Sequence, residues 1–398
     1  MQLAPDKDLL QAFSLRRPAD VIFIVFLLLF VTSILGNFLY TWDVAGYVGA
    51  AISWQTSDSV AIHAQTYELL RLELPEQAFA GLVNGPYATA MATNAEQFVS
   101  QLDMYRLKPL YIGLLNLLSD TGLSLIDAGK VLSVAPAALL CTLMYVWLKH
   151  HVSAKFALSI TVLLSACSRL FDVARVVLPD SLSALILVLA VYLFLERPGA
   201  AKWTLVLLVL SILVRTNNIL FVAPLLIYMS YAESRLEGWR GAGVRGPALA
   251  LLAAVICYFV VSAAFDHQWW RLFYHTFIES IVDMNAFAAG FSFDQYLQVL
   301  SIRLRQIVIG NFVMVTMLLP FLLFAVLGLL ASRGRFAGLR MTVMISFLNF
   351  ICYFLMFPLV ESWDRFFIPF YIFIVVLSVR SVAPPYKSDT NRVSATGV

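Results

Sequence analysis

The sequence predicts an all-α polytopic membrane protein with about ten transmembrane helices and additional interfacial helices. Hydrophobic residues make up 61% of the 398 residues, charged residues only 13%, and the mean hydropathy is +0.84. An ordinary soluble domain carries about 25% charged residues. Because apolar runs long enough to cross a bilayer recur along the chain, the composition excludes a soluble globular fold.

The first apolar run, Val21 to Tyr40, follows a polar leader of residues 1–19. No small-residue cleavage site comes after this run, so we expect a retained helix rather than a signal peptide. We let successive apolar runs cross the membrane in opposite directions, starting from a cytoplasmic N-terminus. The cytoplasmic side then carries 16 of the 27 lysines and arginines but only 7 of the 24 acidic residues. Since basic residues accumulate on that side, this orientation is favoured and the loop that follows is extracytoplasmic.

That first extracytoplasmic loop, residues 41–108, is the longest segment without a spanning run. Ser59 to Leu74 mixes apolar and charged residues, a pattern typical of a helix that lies in the membrane interface. A second helical stretch is predicted from about Asn94 to Leu107. Lys108 precedes a proline, which disfavours helical backbone before it, so we expect the lysine at a bend and a short helix over Pro109 to Leu118.

The later part of the chain supplies the other crossings. Trp203 to Tyr231 spans 29 residues, too long for one crossing, and has basic residues on both flanks, so the chain must return to the side it left. This places Arg215 at the outer end of two short helices. A second extracytoplasmic loop covers residues 266–306, a cytoplasmic tail covers 382–398, and residues 20–381 form one transmembrane domain. We predict crossings at Val21 to Tyr40, Ile126 to Leu148, Phe156 to Phe171, Asp180 to Leu195, the two halves of Trp203 to Tyr231, Pro247 to Phe265, Ile307 to Leu330, Met341 to Val360 and Phe366 to Val379.

Five ionisable residues are predicted at the outer membrane boundary: Asp43, Lys108, Asp180, Arg215 and Arg365. Charged groups at that depth are costly and usually functional. An acid beside several cations is what a sugar hydroxyl needs to attack a lipid-phosphate-linked donor. The carboxylate takes the hydroxyl proton, and the cations stabilise the departing phosphate.

The short motifs around these residues resemble those of one enzyme family. They are Trp42-Asp43, Lys108-Pro109-Leu110-Tyr111, Pro179-Asp180-Ser181, Val214-Arg215-Thr216-Asn217 and Asp364-Arg365-Phe366. Their order resembles the layout of the GT-C superfamily of membrane glycosyltransferases, which includes protein mannosyltransferases and the bacterial aminoarabinose transferase of lipid A. The resemblance implies a GT-C-like fold over residues 15–380 and a polyprenyl-phosphate sugar as donor.

The resemblance also implies roles for individual residues. Asp43 matches the first-loop acid that acts as general base or orients the acceptor, Lys108 matches the lysine that meets the lipid phosphate, and Arg365 matches a basic position in the last outer turn. Asp180 is a second candidate catalytic residue, although an aspartate at a helix start also satisfies free backbone amides. The predicted substrate-binding residues are Lys108, Arg215, Arg365, Tyr47 and Tyr111.

Other functions remain open from the sequence. Arginines and histidines in residues 266–306 are also typical of an O-antigen polymerase or ligase, and a lipid-linked-sugar transporter or flippase is a third possibility. Neither the cysteines nor the histidines show metal-ligand spacing, so no cofactor and no metal site is predicted, and a need for a divalent metal stays open. We expect a glycan or lipid acceptor, no nucleic-acid partner, and a multi-pass protein of the bacterial inner membrane whose site faces the periplasm.

Overall fold

The computed structural model describes residues 17–237, 242–310, 337–358 and 365–382. Within these ranges the protein is all-helical, with 81% of residues in helices and no strands. This agrees with the all-α class that the sequence predicts. The predicted leader and tail lie almost wholly outside the described residues, as does most of the predicted crossing Ile307 to Leu330.

The helices are of two kinds, long apolar ones and short ones that follow α1. In chain order they are α1 (Pro18–Gly36), α2 (Trp42–Ile52), α3 (Ser59–Glu73), α4 (Glu76–Val83), α5 (Pro86–Thr93), α6 (Ala95–Gln101), α7 (Asp103–Arg106), α8 (Pro109–Asp120), α9 (Leu125–Lys149), α10 (Ala154–Cys167), α11 (Leu170–Ala174), α12 (Asp180–Glu196), α13 (Ala201–Val214), α14 (Ile219–Glu237), α15 (Ala242–Ala264), α16 (Trp269–Phe277), α17 (Phe293–Arg305), α18 (Ala337–Met356) and α19 (Ile368–Val382). Short 3-10 turns at Pro198–Ala200 and Thr216–Asn218 flank α13, and a π-helical turn at Gln306–Gly310 follows α17.

Among the described residues, three helices are long and apolar enough to cross a membrane: α1, α9 and the Val244–Ala264 part of α15. Shorter apolar segments lie in α10, α13, α18 and α19. The protein therefore has the character of a membrane protein. The face of α1 that carries Leu28 and Leu29, each 61% exposed, has the apolar surface that a lipid environment favours.

Helix α9 is the centre of the bundle and packs against α1, α10, α12 and α19. Tyr145 and Trp147 on α9 are completely buried, and Phe23 of α1 stacks on Tyr145 with ring centroids 4.2 Å apart. Because lipid tails are as apolar as these side chains, close packing stabilises such a bundle more than burial from water does.

The two ends of the bundle carry different side chains. At one end, Lys149 Nζ donates to Asp20 Oδ1, and Arg380 pairs with Glu196 at the end of α12. Asp180 begins α12, so it lies at the opposite end of a 17-residue helix, about 25 Å away. This is close to the thickness of a bilayer core, which is about 30 Å.

The segment after α1 folds into its own core of short helices. Helix α3 begins at Ser59, and α8 begins at Pro109, as the sequence predicts. The predicted stretch Asn94 to Leu107 is divided into α6 and α7. Helix α2 was not predicted, and it places Asp43 in the first turn of a short helix rather than in a loop directly after the first crossing.

The second predicted outer loop covers this core. Gln101 Nε2 donates to the carbonyl oxygens of Ile281 and Val282, and the Met284 amide donates to Ser100 Oγ. Trp269 on α16 donates from Nε1 to the Met356 carbonyl at the end of α18. The two outer loops and α18 therefore meet at one end of the bundle.

Helix α2 fits against its neighbours only because it carries glycines. A Cβ at Gly46 would lie 2.2 Å from the ring of Tyr105, a side chain that itself contacts the site described below.

We expect Gly46→Ala to displace that ring and destabilise the protein by about 1–3 kcal/mol, as overpacking does. Thermal unfolding in detergent measures this effect. Gly81→Ala is the control, because nothing lies within 4 Å of its Cβ position. Equal unfolding temperatures for the two variants would contradict the prediction.

Candidate functional site

Arg215 lies in the turn between α13 and the 3-10 helix that follows it, at the same end of the bundle as the outer loops. Its guanidinium forms an ion pair with the carboxylate of Asp180, in the first turn of α12, and lies 4.1 Å from the ring centroid of Phe366. Arg215 Nη2 also donates to the Tyr353 hydroxyl at 3.4 Å. The α12, α13 and α18 helices together fix this cation.

The Asp180 side chain is only 3% exposed, so its ion pair with Arg215 offsets the cost of burying the carboxylate. A carboxylate engaged by a guanidinium is a poor proton acceptor, because protonation would break that pair. The geometry therefore favours a positioning role for Asp180 over the catalytic role that the sequence also suggested. Asp180 lies in the first turn of α12, which agrees with the alternative interpretation that it is an aspartate at a helix start.

Arg365 begins the segment that leads into α19, and its guanidinium lies 4.7 Å from the same Phe366 ring. The Arg365 Nε is buried and has no hydrogen-bond partner among the described residues. Buried polar atoms in proteins are almost always paired, so an unpaired guanidinium nitrogen indicates a donor available to a ligand.

A small cleft with about 20 Å³ of accessible space lies between these two arginines. Its polar lining includes Asn217 and Asn349, and Asn217 Nδ2 donates to the Tyr353 hydroxyl at 3.1 Å. The lining thus combines cationic forks with amide and hydroxyl groups. Such a set of donors suits an anion with several oxygens, such as a phosphate.

Lys108 lies at the bend that the sequence predicts, with φ −122° and ψ 59° immediately before α8. Its Nζ donates to the Met104 carbonyl at 3.0 Å and lies 5.1 Å and 5.3 Å from the ring centroids of Tyr47 and Tyr105. Tyr111 packs edge-on against Tyr47 at 4.9 Å. The predicted substrate-binding tyrosines therefore lie within the aromatic surroundings of this lysine.

Asp43 is half-buried in the first turn of α2, where Thr41 Oγ1 donates to its Oδ2 at 3.4 Å. Burial raises the pKa of the Tyr105 hydroxyl, and the charge of Asp43 and a hydrogen bond to its carboxylate act in the same direction. Tyr105 therefore links Asp43 to Lys108, whose ammonium lies over its ring.

The charges of these residues act on one another. The pKa of Lys108 is lowered from its ordinary 10.5 to about 7, and burial is the largest cause. The guanidinium charges of Arg215 and Arg365 contribute to this lowering, and the carboxylate of Asp43 opposes it. Four groups from four separate parts of the chain are thus close enough to interact electrostatically.

Phe366, Tyr105 and Tyr353 are among the residues of this site that were not predicted from the sequence. Phe366 belongs to the Asp-Arg-Phe motif that the sequence analysis identified. Nothing in that motif indicates that arginines stack on its ring. Tyr105 lies three residues before Lys108, a spacing that brings side chains together on a helical turn. Tyr353 lies within an apolar run, and no local signal distinguishes it.

Two histidines of the outer loops make structural contacts. His275 Nδ1 accepts a hydrogen bond from the Ile281 amide at 2.9 Å, and His63 Nε2 lies 3.0 Å from the Met91 carbonyl. In the part of the chain that the structure describes, no three His, Cys, Asp or Glu residues are grouped as metal ligands would be. The described residues therefore give no support to a metal centre.

Comparison with known proteins adds no relative from which a role could be carried over. No protein-family model, no curated protein and no solved structure matches this chain. The function must therefore be argued from the site itself.

The lowered pKa of Lys108 predicts pH-dependent anion binding. Below about pH 7 the ammonium is charged and attracts an anion, whereas above that pH the free site loses the charge. We expect affinity for a polyprenyl-phosphate hexose, a phosphodiester that stays ionised throughout, to fall by up to about tenfold per pH unit above pH 7.

Equilibrium binding between about pH 6 and about pH 9 measures this slope. Lys108→Arg should flatten the profile, because a guanidinium stays charged across that range. Lys108→Met should bind weakly and without the slope. An unchanged slope in Lys108→Met would assign the pH dependence to another group.

Proposed function

We propose that this protein is a membrane glycosyltransferase that moves a hexose or pentose from a polyprenyl-phosphate donor to an extracytoplasmic glycan or lipid acceptor. One observation carries the proposal. Lys108 is close enough to Asp43, Arg215 and Arg365 to interact electrostatically with all three, at one end of an apolar helical bundle. This is the charge arrangement that a lipid-phosphate sugar and an attacking hydroxyl require.

In the proposed reaction, the acceptor hydroxyl oxygen attacks the anomeric carbon of the donor sugar. The bond from that carbon to the phosphate oxygen breaks, and the polyprenyl phosphate leaves. Asp43 accepts the hydroxyl proton as the new bond forms. Lys108, Arg215 and Arg365 stabilise the charge that develops on the departing phosphate, Lys108 as a point charge and the arginines as planar forks.

The proposal includes ten crossings, a single transmembrane domain over residues 20–381, and a site that faces the periplasm of a bacterial inner membrane. The positions of the ionisable groups support it. Lys108, Asp180 and Arg215 lie at one end of the bundle, and Lys149 and Arg380 lie at the other. The basic residues of the second end suit the cytoplasmic side of a membrane.

The direct test uses purified protein and radiolabelled polyprenyl-phosphate hexoses. We expect release of polyprenyl phosphate, with the sugar passing to water or to an added acceptor. The alternatives predict different results. Movement of the donor across a liposome bilayer without release would favour a flippase, and loss of transfer in His275→Ala but not in Asp43→Asn would favour an O-antigen polymerase or ligase.

A further inference from the structure

Helix α17 exposes apolar and polar side chains on separate parts of its surface. Phe293, Leu297 and Leu304 are 60%, 46% and 53% exposed. Because residues four and eleven positions apart fall on one face of an α-helix, these three side chains form a single apolar stripe. The neighbouring stripe is exposed and polar, and it consists of Asp294, Gln298, Ser301 and Arg305. The proposed reaction uses none of these side chains.

The third face of α17 packs on α16 and fixes the rotation of the helix. The Tyr296 ring lies 5.4 Å from that of Phe273, measured between centroids, and the Arg303 guanidinium lies 5.3 Å from the ring centroid of Phe277. Val299 on the same face is buried. The apolar stripe therefore faces away from α16.

The start of α17 is attached to the outer end of α18. The Tyr296 hydroxyl donates to the Leu355 carbonyl at 2.9 Å, close to the hydrogen bond from Trp269 to the next carbonyl of α18. The sequence predicts that the crossing Met341 to Val360 runs outward, so Leu355 is near the outer membrane boundary. The first part of α17 is therefore at that boundary.

The other end of α17 returns to the same boundary. The helix ends at Arg305, and the sequence predicts that the next crossing begins at Ile307. A helix of 13 residues is about 20 Å long. Because both of its ends are at the outer boundary, α17 runs along the membrane surface rather than away from it.

The apolar surface of α18 reaches the point where α17 is attached. Its exposed apolar residues recur at helical spacing along one face and are Met344, Leu348, Ile351 and Leu355. Such a face suits lipid, because this segment of α18 is apolar throughout. The apolar stripe of α17 thus begins beside a surface that already suits acyl chains.

The side chains around the stripe suit the headgroup region of a bilayer. Phe291 is 56% exposed and packs edge-on against Trp270 at 4.9 Å, and aromatic residues of this kind are enriched where membrane meets water. Arg305 is exposed beside Leu304 at the end of the helix. Its charge complements the phosphate groups of lipids, and its stem can lie along apolar surface.

We infer that α17 is an interfacial helix whose apolar stripe inserts into the outer leaflet of the bilayer. The polar stripe faces water and headgroups, and Arg305 lies beside lipid phosphates. Residues 278–292, which include the segment bonded to Ser100 and Gln101, lie between α16 and α17. The cover over the first-loop core is therefore held at the bilayer surface, whether or not the protein transfers a sugar.

Spin-label EPR on the full-length chain tests this membrane contact. The protein is reconstituted into liposomes of phosphatidylethanolamine and phosphatidylglycerol, with its four native cysteines replaced by alanine. A single label is placed on the apolar stripe by Leu297→Cys or Leu304→Cys, or on the polar stripe by the matched controls Gln298→Cys and Ser301→Cys. All four positions are exposed, so each tolerates a label.

The readout compares collisions with oxygen, which concentrates among acyl chains, and with a water-soluble nickel chelate. We expect oxygen to dominate at positions 297 and 304, with the labels about 5–10 Å inside the headgroup boundary, and the chelate to dominate at 298 and 301. Chelate access at all four positions would overturn the inference. Shielding of 297 and 304 from both reagents would also overturn it, and dipolar broadening would then identify a second copy of the chain as the group that covers the stripe.

A second measurement needs no substitution. Liposomes that contain a phospholipid with a diazirine in its acyl chain are irradiated with the wild-type protein, and the labelled residues are mapped by mass spectrometry. We expect labels at Leu297 and Leu304 but not at Gln298. The exposed apolar face of α1, with Leu28 and Leu29, is the positive control. Labelling of α1 without labelling of α17 would reject the membrane contact.

Discussion

Replacing Asp43 by asparagine is expected to reduce release of polyprenyl phosphate by about 10²–10⁴-fold, the contribution that a general base makes to catalysis. The amide of asparagine has nearly the same shape as the carboxylate but cannot take the hydroxyl proton. Donor affinity should change little or rise, because the negative charge of Asp43 acts against that of the anionic donor at Lys108. The measurement is the rate of radiolabelled lipid-phosphate release at saturating donor.

Asp120→Asn provides the matched control, because Asp120 is an exposed carboxylate at the end of α8. This variant should keep the wild-type rate, and both variants should unfold at the same temperature as the wild type. A rate in Asp43→Asn within about threefold of the wild-type rate would exclude general-base catalysis by Asp43, since it corresponds to less than about 1 kcal/mol of barrier.

Arg215→Met is expected to lower the free energy of unfolding by about 3–5 kcal/mol, since it leaves the Asp180 carboxylate buried without its partner. Methionine fills a similar volume, so lost packing alone should cost much less. Unfolding titrations in mixed detergent micelles measure this change, and transfer activity should fall with it.

A second substitution separates charge from packing. In the double variant Asp180→Asn, Arg215→Met the buried carboxylate is removed, so most of the stability should return while the activity stays low. Arg365→Met is the contrasting variant. The Arg365 Nε has no partner among the described residues, so Arg365→Met should cost less stability than Arg215→Met but should weaken donor binding by about 10–100-fold, the effect of a lost charge-assisted hydrogen bond. If the double variant is as unstable as Arg215→Met, the ion pair does not explain the effect.

Local features of the site were predictable from the sequence. The bend at Lys108 and the start of α8 at Pro109 follow from the steric restriction that proline imposes on the preceding residue. The start of α3 at Ser59 follows from a mixed apolar and charged pattern. Each of these predictions depends on residues only a few positions apart.

Helix α2 was missed for a physical reason. Every residue from Val44 to Ile52 is buried, so the helix has no polar face and its sequence lacks the periodicity that reveals a surface helix. With 11 residues it is also too short to be recognised as a crossing. Its existence depends on the aromatic side chains of α6 and α7, against which Gly46 and Gly49 pack.

The amino-acid sequence by itself determined that this protein is an all-helical membrane protein, because hydropathy and charge are properties of local segments. Only the tertiary structure decided which ionisable residues interact. The Asp180–Arg215 pair and the stacking of Arg215 on Phe366 join segments tens to hundreds of residues apart. Such contacts are set by the packing of helices against one another, and no local pattern in the chain records that packing.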